Sequence, residues 1–272
     1  MTSANDTISP TPSIARLIAR IADTKYFLGK QYAEWCAGAP TLESAVAAAA
    51  MAQDELGHAR ALYPLLRTLN PDAGAENDPE TRTKFVNLAV LDQPFADWAD
   101  FVAANYLVDG AMTLLFESAT DSSYEPLAGR SRKALQEETT HALHAEAWVR
   151  RMTTSEGGNV RAALETALQR IWWDVLCWFG PTGDVDELAA SHVLTATPDQ
   201  LRERLLARIG PLISTLGLRL PIAMTSNGVF VLTEALPWQR WDAATYRLRP
   251  PARSSAKSAH ARKASPAEAS KA

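Results

Sequence analysis

Glu55-Leu56-Gly57-His58 and Glu138-Thr139-Thr140-His141 are two copies of one pattern, a glutamate followed three residues later by a histidine. In a helix this spacing sets a carboxylate and an imidazole on the same face, one turn apart. One Glu-x-x-His is ordinary chance. Two of them, each near the middle of a long helical stretch, decide how the sequence around them is read.

Around both motifs, apolar residues recur at alternating steps of three and four, the period of one helix face. A first stretch from Ser13 to Cys36 carries Ile14, Ile18, Ile21, Lys25, Leu28, Tyr32 and Trp35, with a lysine inside the stripe. A second follows Pro40, with Thr41 as its N-cap, and runs to Leu69 through Ala52, Glu55 and Ala59. A third follows Pro94 through Phe95, Trp98, Val102, Asn105, Asp109, Met112 and Phe116. A fourth starts around Ser123 to Pro126, where a serine cap and an early proline mark a helix start, and passes Glu138 and His141. Short turns join the first pair and the second pair, and residues 70 to 94 cross between them. The expectation is all-α, a four-helix bundle of two antiparallel hairpins. Beyond Gly157 the pattern predicts helices over 159–179 and 198–216. A small β-hairpin follows, with Asn227-Gly228 leading into Val229–Leu232.

In carboxylate-bridged di-iron bundles, two helices each offer a Glu-x-x-His and the other two each offer a single acid. Asp109 is the third helix's candidate: it lies roughly 20 Å before the turn near Ser123, and Glu138 roughly 20 Å after it. On the first helix the level of Glu55 falls at residues 22 to 25, where Asp23 and Lys25 stand, while Glu34 is too near the turn. Anionic oxygens would neutralise two iron ions and imidazoles would complete their coordination, leaving positions open for oxygen. The alternative for the same residues is a satisfied, buried salt-bridge network.

Together with Ala39-Pro40, Ala52 to Ala59, Tyr106 to Ala111, Ile171-Trp172-Trp173, Phe179-Gly180-Pro181 and the run Leu201 to Gly217, these motifs resemble the bacterial phenylacetyl-CoA epoxidase family over residues 14–222. The resemblance implies a ferritin-like fold and a place in the di-iron monooxygenase complex of phenylacetate catabolism. That complex has a catalytic subunit, a homologous structural subunit without a working metal site, and a reductase that passes electrons from NADPH through flavin and iron–sulfur groups. It oxidises an aromatic acyl-CoA with O2. By position, Glu55, His58, Asp109, Glu138 and His141 match the iron ligands, and Asp23 is an additional candidate metal ligand. The first-helix glutamate of the family is replaced here by Lys25, and Glu34-Trp35-Cys36 resembles the structural subunit. Lys25 leaves two arrangements open. Its ammonium either sits among Glu55, Asp109 and Glu138 in place of the metal, or points elsewhere while Asp23 or water completes a site that retains iron. Two intact Glu-x-x-His motifs favour the second.

Of the remaining residues, His144 reads as a supporting or surface histidine one turn after His141. The aromatic run Trp172, Trp173, Trp178 and Phe179 reads as packing, and Glu117 lies two turns past Asp109, too far to share its site. Two cysteines, Cys36 and Cys177, give neither a disulfide framework nor a thiolate metal site. The polar start (residues 1–12) is expected to be flexible and carries no secretion or membrane signal, which predicts a cytoplasmic protein. A net charge of -4 gives no general attraction to nucleic acid or anionic membranes. Residues 13–249 are expected to form the helical domain, and 250–272 a disordered basic tail. The expected partners are an aromatic acyl-CoA with O2, a homologous ferritin-like chain and a reductase in a hetero-oligomer.

Overall fold

Helix α1 (Thr11–Trp35) buries its predicted stripe, with Ile18, Ile21, Leu28 and Tyr32 fully enclosed. It pairs with α2 (Leu42–Leu69), whose first turn is closed by Thr41: the side chain accepts from the Ser44 N–H at 3.2 Å, the cap expected from the sequence. Gly29 lets the two helices meet closely, since a Cβ there would stand 2.8 Å from the Leu56 side chain and 3.0 Å from the Glu55 Cβ. That close approach lies one turn from Lys25, at the level of the first Glu-x-x-His. The computed structural model describes residues 11–155, 158–181 and 186–250. The expected flexible start and basic tail lie outside these residues, except for residues 11, 12 and 250.

The crossover between the hairpins carries two 3-10 turns, Pro71–Asn77 and Ala89–Asp92. The third helix of the bundle is one rod with a defect. Asp97 caps α3 (Trp98–Ala104), a single π-helical turn follows over Asn105–Asp109, and α4 (Gly110–Ser118) continues the axis. This rod is apolar and long enough to cross a membrane, but 89% of that stretch is buried inside the protein, so it is the core helix of the bundle. Helix α5 (Glu125–Thr154) completes the four, with Pro126 in its first turn. Its N-cap is Tyr124, without a side-chain bond, and the Ser123 hydroxyl instead donates to the Ser191 carbonyl. The serine cap expected there does not form, because Ser123 is drawn to the loop after α7 (Glu187–Ala190).

Helices α6 (Gly158–Trp178) and α8 (Pro198–Thr215) lie against α3 and α4 respectively. The capping box of α8, Thr197 with Gln200, fixes its start. The expected hairpin is present as β1 (Ile222–Met224) paired antiparallel with β2 (Phe230–Leu232), and the Phe230 ring occupies the space left by Gly210 of α8. A second pair, β3 (Trp241–Asp242) with β4 (Arg247–Leu248), was not expected; two-residue strands leave no alternation to read. The described residues form an all-α, ferritin-like bundle with two small hairpins appended.

Candidate functional site

At the centre of the bundle stands the ammonium of Lys25. Its Nζ donates to Glu55 Oε1 at 2.8 Å, Asp109 Oδ1 at 2.7 Å and Glu138 Oε1 at 2.5 Å. Lys25 and Glu55 are fully excluded from solvent, and Asp109 and Glu138 very nearly so. One cation thus ties α1, α2, the π turn and α5 together. The π turn matters here, because inserting a residue rotates the helix locally and brings Asp109 inward beside the acids of α2 and α5.

His141 lies on the same group, with Nδ1 3.0 Å from Asp109 Oδ2 and 3.3 Å from Glu55 Oε1 and Nε2 3.2 Å from Asp54 Oδ2. Glu55, Asp109, Glu138 and His141 together form a buried group that could hold a metal ion, with one ligand atom from each within 4.8 Å of the others. His58 is set apart. Its Nε2 bonds Glu137 Oε2 at 2.7 Å and its Nδ1 is 3.5 Å from Glu138 Oε1. Asp23 is not in the group at all. It accepts from the Tyr63 hydroxyl at 2.8 Å and the Val86 N–H at 2.7 Å and lies 3.1 Å from the Arg82 guanidinium, holding the crossover onto α1 and α2. The physical reason is helix geometry. Residues two apart diverge by about 200°, so when Lys25 faces the acids Asp23 faces away.

The electrostatics follow from burial and from the two cations. Burial works against the Lys25 ammonium, but Asp109, Glu138 and Glu55 outweigh it and hold its pKa well above the usual lysine value. Burial likewise opposes a charged His141, yet Asp109 and Glu55 push it up to about 11, so it is a cation at neutral pH. Asp109, against its burial, is held well below the carboxylate range by Lys25 and His141. Burial and the Asp109 charge raise Glu55 to about 7 and Glu138 well above its usual value. The Lys25 and His141 cations thus offset the charge of the three buried carboxyls, while burial favours the protonated forms of Glu55 and Glu138. His58, lowered by burial to about 3, is neutral.

Several members had no separate signal in the sequence. Thr113 donates to Glu138 Oε2 at 3.0 Å, and the Asn105 amide donates to Asp109 Oδ2 at 3.3 Å. Both are four residues from Asp109, a spacing that marks same-face neighbours once Asp109 is chosen. His144 joins this set through Asn105 Oδ1 at 2.9 Å; burial lowers it to about 4, which makes it a neutral supporting residue. Glu117 pairs with Arg208 at 2.7 Å, away from the group, as expected from its distance along the helix.

Glu55, Asp109, Glu138 and His141 would have to hold the metals of a di-iron centre, and the Lys25 ammonium already stands among the three acids. With Lys25 in this position the residues do not fit a di-iron centre. The first-helix position holds a base instead of an acid, Asp23 is committed elsewhere, and one oxygen each of Glu55, Asp109 and Glu138 is bound to Nζ.

The same motifs place the chain among known proteins. Residues 2–230 match the family model described as phenylacetic acid catabolic protein. The chain belongs to this family. It is similar to two different subunits of the 1,2-phenylacetyl-CoA epoxidase of Escherichia coli (strain K12). With the first it is 28% identical over 192 residues, 69% of this chain and 62% of that subunit. With the second it is 30% identical over 156 residues, 56% of this chain and 62% of that one. The matched regions thus span about three fifths of either relative. This member of the phenylacetic acid catabolic family has all five expected ligand-type residues and sets a lysine against three of them.

Proposed function

We propose that this chain is the structural, non-catalytic subunit of an oxygenase complex of the phenylacetyl-CoA epoxidase type, in which Lys25 stands where a catalytic chain holds metal. The observation that carries this reading is the Nζ of Lys25 within 2.8 Å of Glu55, Asp109 and Glu138. The sequence alone favoured a retained iron site; the position of the ammonium supports the alternative.

On this reading the chain's residues do mechanical rather than redox work. The ammonium and the His141 cation hold the four bundle helices at the spacing that two metals would otherwise impose, and Asn105, Thr113 and Asp54 fix the rotamers of Asp109, Glu138 and His141. The bundle then offers a rigid surface to a homologous, metal-bearing chain. That partner, with a reductase, would carry out the oxidation of an aromatic acyl-CoA with O2.

The test is reconstitution. The purified chain is mixed with a catalytic-type homologue, a reductase, NADPH and phenylacetyl-CoA, and product is followed with each component left out in turn. The reading expects no product from this chain with reductase alone and more product from the homologue when this chain is added. Turnover by this chain and reductase without the homologue would overturn it and restore the catalytic reading.

A further inference from the structure

Arg20 is a second buried cation on α1, outside the Lys25 group. It lies five residues before Lys25, with only 5% of its surface exposed, and its Nε and Nη2 have no hydrogen-bond partner. Those two nitrogens share one edge of the guanidinium, the edge whose parallel N–H groups grip a carboxylate or phosphate in a two-point fork. A buried guanidinium left without an anion is costly, and native structures rarely leave such donors unpaired.

The surroundings supply flat rings and a second cation. The Arg20 guanidinium lies 4.3 Å from the Trp178 ring centre and 5.1 Å from that of Tyr246, and the Arg16 guanidinium lies 4.7 Å from the Tyr246 ring centre. A cavity of about 300 Å³ adjoins them, lined among others by Arg16, Arg20, Phe179 and Tyr246. Two acids also line it, and both have donors of their own. Asp186 caps α7 through the Leu188 and Ala189 N–H groups, and Glu187 takes the Ser13 hydroxyl. Among the described residues none forms an ion pair with Arg20. Tyr246 lines the cavity from the turn between β3 and β4, where it adopts a left-handed φ of 55°.

We infer that Arg20, with Arg16, forms a binding site for a small oxyanion, a carboxylate or a phosphate group, beneath the Tyr246 ring. The site lies apart from the Lys25 group and does not depend on how that group is read. Access requires a side-chain rearrangement, since both nitrogens of the fork edge are shielded from solvent.

Thermal unfolding of the full chain, titrated with sodium phosphate or sodium acetate at ionic strength held constant with chloride, tests this, with Arg20→Met alongside. In chloride alone Arg20→Met is expected to match or exceed the parent, because it removes an unpaired charge. Added oxyanion should raise the midpoint of the parent and leave the variant unmoved, with affinity lost by on the order of tenfold or more. The more effective of the two salts identifies the class of ligand. Equal shifts in both proteins would reveal a general salt effect and overturn the site, as would no shift in either. Should Arg20→Met not fold, the Arg20 Nε–H resonance of the parent decides: movement on adding phosphate or acetate supports the site, and an unmoved resonance overturns it.

Discussion

Asp23 and Lys25 are two residues apart on one helix, both fully buried, and they do opposite things. Lys25 gathers three acids from three other segments at the bundle's centre. Asp23 faces the other way and collects a phenol, a guanidinium and a backbone N–H, fastening residues 82–86 of the crossover to the outside of the first hairpin. The lesson is that level along a helix axis is not enough to assign a ligand. A ruler of about 1.5 Å per residue puts both at the height of Glu55, and only the rotation of about 100° per residue separates them. The central knot joins three acids through an ammonium; the outer one is a structural clasp.

The largest effect should come from removing the central cation. Lys25→Met leaves three buried acids facing only the His141 cation and is expected to lose about 3–5 kcal/mol in denaturant unfolding at neutral pH. The loss should shrink toward pH 5, where the carboxyls take up protons. A loss under about 1 kcal/mol would mean that the ammonium is not holding the helices.

The next is a pH effect confined to the central knot. His141, raised in the fold to about 11 from an ordinary 6.5, contributes stability that is complete below pH 6.5 and is lost as pH rises toward 11. Glu55, raised to about 7 from 4.5, adds a decline between those values. Stability should thus fall through the neutral and alkaline range by at most about 1.4 kcal/mol per pH unit for each such group. Denaturation curves of His141→Gln against the parent check this; a variant with the same slope between pH 7 and 9 would show that His141 is not charged in the fold.

Asp23→Asn should cost less, about 2 kcal/mol, through the charged hydrogen bonds from Arg82 and Val86. Its signature is local: faster hydrogen exchange in residues 82–88 with the bundle's interior unchanged. Increased exchange centred on Glu138 and His141 would show that the two knots form one cooperative unit. Smallest of all, Thr113→Val removes the hydroxyl on Glu138 and is expected to cost about 1 kcal/mol by the same unfolding assay.

Much of this was legible in the sequence. Apolar stripes of nearly six helical turns leave little choice of period, so the four bundle helices and the crossover were readable, and Thr41 and the Asn227-Gly228 turn carried their usual local chemistry. Glu55, Asp109, Glu138 and His141 could be brought together because each sits mid-stripe where only a buried function tolerates an acid or imidazole. The rest depended on rotation and on contacts between distant segments. His58 bonds Glu137, a residue 79 places away, which no spacing rule on α2 announces. The π turn at Asn105–Asp109 leaves no mark in a three-and-four stripe, yet it aims Asp109. The direction of Lys25, inward or outward, is a rotamer and packing outcome, and it is the fact on which the functional reading turns.

Iron content per chain, measured on protein purified with iron supplied, tests that reading most directly when the parent is compared with Lys25→Glu. The account predicts no bound iron in the parent and about two irons in the variant, where a fourth acid replaces the ammonium. Two irons in the parent would contradict it and return Lys25 to the edge of a working metal centre.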